Sequence, residues 1–155
     1  MPDPTLTSES GSTILIVDDN EQNLELIQAY LEGLGCTIRT AADGHEAVRA
    51  VEEAHPDIIL LDVMMPRMSG FQACQRIKSD PKSRDIPIVM VTALNELGDV
   101  ERAVECGADD FLTKPVNKLE LVTRVRSLLR VRRLKKELDR TLEELRRSSS
   151  SDGRG

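Results

Sequence analysis

The sequence predicts an α/β fold, a doubly wound (βα)5 domain with a five-stranded parallel sheet and an extended C-terminal helix. Short segments of strand-forming residues alternate five times with helical patterns, which is the rhythm of a parallel sheet. Three of these segments are apolar throughout, as buried parallel strands are. The last helical pattern is much longer than the strand it follows. At 155 residues the chain has room for one such domain with appendages.

The strands are predicted where β-branched and apolar residues cluster, at Thr13–Val17, Thr37–Ala41, Ile58–Leu61, Ile88–Val91 and Asp109–Leu112. The first, third and fourth strands are continuously apolar, as expected when helices cover both faces of the sheet. The second and fifth strands mix polar with apolar residues and are predicted at the sheet edges. We expect the strand order 2-1-3-4-5, in which the first and third strands are neighbours.

Capping residues mark three helix starts. Asp43, Ser69 and Asn117 each have a side chain that can accept a hydrogen bond from free backbone N–H groups, and Glu or Gln follows three residues later. Gly35 and Gly107 are predicted to end two helices, because glycine adopts a left-handed backbone at little cost.

The final helical pattern runs from Asn117 without Gly or Pro to about Arg147. Its apolar positions alternate at spacings of three and four, with one lysine among them: Leu128, Val131, Lys135, Leu138, Leu142 and Leu145. This pattern predicts a short coiled coil that joins two copies of the chain as a homodimer. The alternative is a solvated helical extension, because fewer than three heptads are marginal in water.

The chain divides into four parts by composition. We predict a flexible leader at residues 1–12, a folded domain at 13–129, a helical extension at 130–147 and a disordered, serine-rich tail at 148–155. The leader has neither the basic start nor the apolar stretch of a secretion signal. No apolar run in the sequence is long enough to span a membrane. The predicted location is therefore the cytoplasm.

Charge is distributed unevenly along the chain. Residues 1–123 carry 22 acids and 10 bases, a net charge of −12, whereas residues 124–155 carry 11 bases and 5 acids, a net charge of +6. Residues 124–136 contain seven bases and no acid, which raises nucleic-acid binding as a hypothesis. No aromatic residue lies in that run for base stacking. A solvated helix face, or pairing with the acidic surface of a second subunit, is the favoured interpretation.

Acidic side chains follow two of the apolar strands. Asp18 and Asp19 come directly after the first strand, and Asp62 comes directly after the third. In the predicted order these strand ends are adjacent at the carboxyl edge of the sheet, where ligands bind in such folds. Three clustered carboxylates repel one another and need a compensating cation. A site built of oxygen ligands favours Mg²⁺ or a similar hard ion.

Two more functional groups reach the same edge, the hydroxyl of Thr92 after the fourth strand and the ammonium of Lys114 after the fifth. No glycine-rich loop follows the first strand, so the pocket is unsuited to cradling a nucleotide phosphate. The set suits transfer of a phosphoryl group onto a carboxylate, with Mg²⁺ and Lys114 neutralising charge and Thr92 donating a hydrogen bond. Asp62 is the candidate acceptor, because it stands alone at its strand end while Asp18 and Asp19 form a metal-holding pair.

Four segments resemble the receiver domains of two-component response regulators: ILIVDDN, IILLDVMMPRMSG, VTA and FLTKP, which occur in that order at the expected strand ends. The resemblance covers about Thr13 to Leu129 and implies a flavodoxin-like fold. It also implies a role for each matching position, namely Mg²⁺ ligands at Asp18, Asp19, Asp62 and the backbone carbonyl of Met64, a phosphoacceptor at Asp62, a switch hydroxyl at Thr92, a phosphate partner at Lys114 and an aromatic switch at Phe111.

The resemblance implies a signalling switch, not an independent enzyme. A histidine kinase or histidine phosphotransfer protein would supply the phosphoryl group. Phosphorylation would draw Thr92 inward, let Phe111 rotate and change the surface of the fourth helix, fifth strand and fifth helix, which a downstream protein reads. Met64 and Leu94 stand where some family members carry side chains that orient an attacking water, which predicts a long-lived phosphorylated state. An aspartyl phosphatase would need an acid at the position of Met64.

The output of the switch has two interpretations. A stand-alone regulator that acts through its own protein contacts is favoured, because no output domain follows the long helix in this sequence. The alternative is a receiver fragment of a longer regulator, in which the helix leads into an output domain such as a cyclic-dinucleotide enzyme.

Overall fold

The computed structural model describes residues 11–93, 101–102 and 104–152. Five parallel strands form one sheet in the order β2-β1-β3-β4-β5, with bounds β1 Thr13–Val17, β2 Thr37–Ala41, β3 Ile58–Asp62, β4 Ile88–Thr92 and β5 Asp110–Thr113. The predicted fold class and strand order are confirmed. Strands β3, β4 and β5 each end one residue later than predicted, so Asp62 and Thr92 are the last residues of their strands.

Helices pack on both faces of this sheet. Their bounds are α1 Glu21–Leu31, α2 Gly44–Glu53, α3 Gly70–Ser79 and α5 Lys118–Asp152, and the helical residues 101–102 and 104–105 belong to a helix before β5 that we call α4. No helix in the described ranges is both long and apolar enough to cross a membrane.

The predicted helix boundaries carry the expected contacts. Asp43 accepts a hydrogen bond from the N–H of Glu46, and Asn117 accepts one from the N–H of Glu120. Ser69 forms a reciprocal capping box at the start of α3. Gly35 and Gly107 have φ angles of 71° and 89°, which is the left-handed backbone expected at these helix ends.

Two apolar layers, one on each face of the sheet, hold the domain together. Alternate residues of β1 point to opposite faces, so Leu15 and Val17 join the layer with α2 and α3, while Ile14 and Ile16 join the layer with α1 and α5. The central strands β1, β3 and β4 are buried almost throughout, whereas β2 and β5 are partly exposed. The polar strands therefore lie at the edges, as predicted.

The C-terminal helix continues to Asp152, five residues beyond its predicted end at Arg147. The helix thus covers residues 148–152 of the predicted disordered tail, and residues 153–155 lie outside the described part. Serine is only modestly less favourable than alanine in a helix interior and does not end a helix, and the first strongly unfavourable residue is Gly153. Of the predicted leader only residues 11 and 12 are described.

Asp57, at the amino-terminal edge of the sheet, holds the start of the helical extension. The Oδ2 of Asp57 accepts the Thr13 N–H at 2.8 Å, and its Oδ1 lies 3.4 Å from Arg132 Nε and 3.1 Å from Lys136 Nζ. Although partial burial opposes it, these hydrogen bonds and charges hold the pKa of Asp57 below its ordinary value. We call Asp57, Arg132 and Lys136 the basal cluster.

Replacing Asp57 with asparagine is expected to lower the free energy of unfolding by about 1 kcal/mol near neutral pH, because it removes the charge of the basal cluster and keeps an oxygen for Thr13. The folded pKa of Asp57 lies below the ordinary 3.8, so the ionic stabilisation is complete above that pH and disappears as the pH falls through the folded value. Urea unfolding of both proteins at neutral and acidic pH measures this. An equal difference at both pH values would contradict it.

Candidate functional site

The acidic residues predicted from the sequence meet at the carboxyl edge of the sheet. Asp62 ends β3, and its side chain is buried because β1 and β4 flank it on both sides. Asp18 follows β1 and is also buried, whereas Asp19 is exposed. One carboxylate oxygen from each of the three lies within 4.8 Å of the others. The adjacency of β1 and β3 therefore produces the predicted cluster.

The turn after β1 presents these acids because another residue caps the next helix. Asn20 accepts hydrogen bonds from the N–H groups of Gln22 and Asn23, at 2.9 and 3.2 Å. The Oδ1 of Asp18 accepts the Asn20 N–H at 2.9 Å. Capping of α1 thus falls to Asn20, and neither acid is consumed by it.

Lys114 reaches the acids from β5. Its Nζ lies 3.2 Å from Asp62 Oδ1 and 3.3 Å from Asp18 Oδ2. Its backbone N–H donates to the carbonyl of Thr92 at 2.7 Å, and the peptide bond from Lys114 to Pro115 is cis. The lysine is therefore fixed to the ends of both β4 and β5 while its ammonium bridges two carboxylates.

The site is electrostatically unbalanced. Burial raises the pKa of Asp62 and the neighbouring charge of Asp18 raises it further, while Lys114 only partly offsets both effects. Burial alone would lower the pKa of Lys114, but the charges of Asp62 and Asp18 outweigh burial and the pKa lies above its ordinary value. One ammonium among three carboxylates leaves excess negative charge. The oxygen-only donor set could hold a hard divalent cation.

The remaining predicted residues border the same pocket. Thr92 is fully buried at the end of β4, one residue beyond the position that pairs with Asp62. The Met64 N–H points to Asp62 Oδ1 at 3.4 Å, and the side chain of Met64 is 62% exposed. Phe111 lies on β5, partly buried against the α2 and α3 layer. Leu94 lies outside the described residues.

Sequence reasoning missed the importance of Gly70, the first residue of α3. Its N–H donates to the Val63 carbonyl at 2.9 Å, which folds the chain back onto the end of β3. A Cβ at Gly70 would lie 2.8 Å from Val63 Cα and 2.9 Å from the carbonyl carbon of Asp62. The signal was present in the sequence, since a glycine directly after a capping serine is unusual where a better helix former would serve.

The basic run at residues 124–136 is largely engaged by the domain's own acids. Arg124 pairs with Asp110, Lys135 with Asp85, and the basal cluster accounts for two more bases. Four of the seven basic side chains therefore have carboxylate partners in the same chain. The predicted pairing was with the acidic surface of a second subunit, whereas these four bases pair with acids of their own chain.

These features are typical of the receiver class of signalling domain. The parallel sheet has the order 2-1-3-4-5, and its carboxyl edge carries a buried aspartate, an acidic cluster that could hold a metal and a lysine that bridges two of the acids. The family model "Response regulator receiver domain" matches residues 14–126. The chain belongs to this family and is a receiver domain of the two-component response regulators.

Two curated relatives illustrate the similarity. The response regulator PleD of Caulobacter vibrioides is 45% identical over 144 residues, which cover 93% of this chain and 30% of PleD. The "DNA-binding dual master transcriptional regulator RpaA" of Synechocystis is 41% identical over 117 residues, which cover 76% of this chain and 48% of RpaA. The chain thus spans less than half the length of either relative.

Solved structures share the fold. A putative response regulator from Chloroflexus aurantiacus superposes with a TM-score of 0.73 at 36% identity, covering 76% of this chain and 97% of the other. The receiver domain of the sensor histidine kinase PA1611 from Pseudomonas aeruginosa, described with a magnesium ion coordinated in its active site cleft, gives 0.72 at 35% identity and covers 77% of this chain and 98% of its own.

Proposed function

We propose that Asp62 accepts a phosphoryl group from a phosphohistidine of a histidine kinase or histidine phosphotransfer protein. The observation that carries this proposal is the position of Lys114 Nζ between Asp62 and Asp18. It places a fixed positive charge beside the acceptor oxygen, where a phosphoryl group would add negative charge. The test is incorporation of one phosphoryl group from acetyl phosphate and Mg²⁺, which requires Asp62.

The transfer is a displacement at phosphorus. A carboxylate oxygen of Asp62 attacks, an O–P bond forms, and the N–P bond to the donor histidine breaks. The histidine nitrogen keeps the electron pair and takes up a proton. The chain's own contribution is placement: β3 fixes the acceptor, Lys114 meets the arriving phosphoryl oxygens, and the hydroxyl of Thr92 donates a hydrogen bond to them. The domain catalyses only its own phosphorylation and dephosphorylation and is not an independent enzyme.

Asp18, Asp19, Asp62 and the backbone carbonyl of Met64 would hold Mg²⁺. The oxygens of the three acids are close enough for one cation, and their excess negative charge favours it. When bound, the ion neutralises charge on the phosphoryl oxygens.

The phosphorylated domain signals through the surface formed by α4, β5 and α5. Phosphorylation adds nearly two negative charges beside Lys114 and Thr92. Thr92 moves toward the phosphoryl group, and Phe111 turns into the space that this opens. Phe111 lies on β5 and is partly buried against the apolar layer with α2 and α3, which supports this role. A downstream protein then binds the altered surface.

Replacing Met64 with asparagine is expected to shorten the lifetime of the phosphorylated state at least about tenfold, because an amide at this position can orient an attacking water and a thioether cannot. The side chain of Met64 is 62% exposed beside Asp62, so the substitution has space. Loss of radiolabelled phosphate over time measures the lifetime. Met64→Leu is the matched control and should leave it unchanged. A wild-type half-life of seconds would contradict the prediction.

The chain pairs with a second copy through the part of α5 beyond Leu129. Large apolar side chains are exposed along this segment, and burying them on a partner helix is favourable.

The proposed organisation of the chain is a leader, a receiver domain at 13–129 and a helical extension. A longer regulator, with the helix leading into an output domain, is the second candidate, since both curated relatives are more than twice the length matched.

Truncation after Leu129 is expected to convert the dimer into a monomer in sedimentation equilibrium, because the exposed apolar residues are removed. The truncation also removes Arg132 and Lys136 from the basal cluster. The full-length double variant Leu138→Asp, Leu142→Asp keeps that cluster and should be monomeric as well. A dimer mass for either protein would show that the helical extension does not form the interface.

A further inference from the structure

One face of α5 is used by the domain itself. Leu121, Val125 and Leu129 are buried in the apolar layer with α1. The same face continues at Arg132 and Lys136, which reach Asp57. These spacings of three and four keep the side chains on one side of the helix. The first turns of the extension are therefore held to the domain by this face.

The opposite face carries a row of exposed large apolar residues, which we call the apolar stripe: Val131, Leu134, Leu138, Leu142 and Leu145, with exposures of 60, 53, 57, 46 and 61%. The stripe differs from the heptad seam predicted from the sequence. Leu134 takes the place of Lys135, whose Nζ lies 3.3 Å from Asp85, and Leu128 is partly buried against the domain. The spacings of three, four, four and three follow an 11-residue repeat, which gives paired helices a right-handed supercoil.

We propose that two copies of the chain pair in antiparallel orientation through the apolar stripe, with Leu138 facing Leu138 of the second copy. This inference rests on the pairing proposed above and adds its direction and register. Antiparallel pairing about Leu138 sets Val131 against Leu145 and Leu134 against Leu142. Every layer of the interface is then apolar, and no lysine enters it.

The charges beside the stripe favour this orientation. Arg130 and Glu144 lie on one flank of the stripe, and Lys135 and Asp139 lie on the other. In an antiparallel pair, each flank meets the same flank of the second copy, so Arg130 meets Glu144 and Lys135 meets Asp139, twice each. One unfavourable contact, between the two copies of Glu137, opposes these four. Lys135 can still reach Asp85, because an ammonium has three donors.

Parallel pairing would instead bring opposite flanks together at an offset of about five residues, as in g-to-e′ contacts. Arg130 would then meet Lys135 of the second copy, twice, and Asp139 would face the apolar Leu134. Like charges at such positions are destabilising.

The surface beyond the stripe also fits an antiparallel partner. Toward the start of α5 the same face continues as Glu120, Arg124 and Ser127, which line an open groove of about 570 Å³ beside Asp110. In the antiparallel register the end of the partner's helix runs past Val131 and along this groove.

Disulfide trapping in the full-length chain tests orientation and pairing separately. All variants carry Cys36→Ser, which removes the one partly exposed native thiol, since Cys74 and Cys106 are buried. Leu138→Cys should cross-link under mild oxidation in either orientation. Val131→Cys alone and Leu145→Cys alone should not cross-link, because each thiol lies about 21 Å from its own copy. An equimolar mixture of these two variants should form the mixed dimer.

The outcomes separate the two proposals. Cross-linking of Val131→Cys to itself and of Leu145→Cys to itself would show parallel pairing and overturn the antiparallel inference while the dimer stands. Failure of Leu138→Cys to cross-link would contradict both the proposed dimer and its proposed orientation.

Charge reversal tests the orientation independently, because the two orientations predict changes of opposite sign in the strength of dimerisation. Arg130→Glu should weaken dimerisation about fivefold in sedimentation equilibrium, because it sets like charges at both Arg130–Glu144 contacts. Adding Glu144→Arg to the same chain should restore it. If the pair is parallel, Arg130→Glu would strengthen dimerisation by facing Lys135, and that result would overturn the inference.

Discussion

Replacing Asp62 with asparagine is expected to abolish phosphorylation of this receiver domain by acetyl phosphate in the presence of Mg²⁺. The substitution keeps the size of the side chain and removes the nucleophilic carboxylate, so no acyl phosphate can form. It also removes one of the three acids that would hold the ion. Intact-mass measurement should show one added phosphoryl group on the wild-type chain and none on Asp62→Asn.

The matched control lies at the other end of the same strand. Asp57→Asn makes the same chemical change just before β3 begins, at the basal cluster, and should leave phosphorylation at the wild-type extent. Chelation of Mg²⁺ should stop phosphorylation of the wild-type chain as fully as Asp62→Asn does, because repulsion from three carboxylates would then oppose the incoming phosphoryl group. Full modification of Asp62→Asn would show that another residue accepts the phosphoryl group and would refute the proposed site.

The site could be predicted from the sequence because a parallel sheet converts sequence position into spatial position. Residues that directly follow buried strands meet at one edge, so identifying the strands at β1, β3 and β5 was enough to bring Asp18, Asp62 and Lys114 together. Errors of one residue at strand ends did not matter, since the side chains remain at the same edge. Strand order rested on the apolar character of the central strands, which the burial pattern confirms.

The contacts of α5 could not be predicted in the same way. Asp57 and Lys136 are 79 residues apart, and no local pattern specifies which acid a lysine will reach. The basic run was interpreted as a solvated face or as a face that pairs with a second subunit, because its partners within the chain depend on how α5 crosses the sheet. The predicted heptad seam included Lys135, whereas in the structure Lys135 Nζ lies 3.3 Å from Asp85 and the exposed Leu134 lies in the apolar row.

Predictions of local backbone conformation succeeded at some positions and not at others, for a physical reason. Caps such as Asp43 and Ser69 act within four residues and were visible in the sequence. The end of α5 depends on the sum of weak propensities in a run of serines, which a composition rule reads as disorder. The role of Gly70 depends on a close approach between α3 and the end of β3, so spacing along the chain does not reveal it.

Replacing Gly70 with alanine is expected to cost about 3 kcal/mol of unfolding free energy and to slow phosphorylation more than tenfold. A Cβ at this position would overlap the carbonyl oxygen of Asp62 and the backbone of Val63, and backbone atoms in a buried strand cannot move aside without distorting it. The distortion falls on the acceptor residue itself, where small displacements are costly for transfer. Urea unfolding and the rate of modification by acetyl phosphate measure the two effects.

Gly44→Ala provides a matched comparison, because Gly44 and Gly70 are each the first residue of a helix that follows a capping side chain. The three atoms nearest to a Cβ at Gly44 would be side-chain atoms of Met68, each at 2.9 Å, and a methionine can change rotamer. Alanine also favours the helix over glycine by roughly 0.5–1 kcal/mol. Gly44→Ala should therefore stay within about 1 kcal/mol of wild type and phosphorylate normally. Equal losses for both variants would show that the approach of α3 to Asp62 is not what requires a glycine.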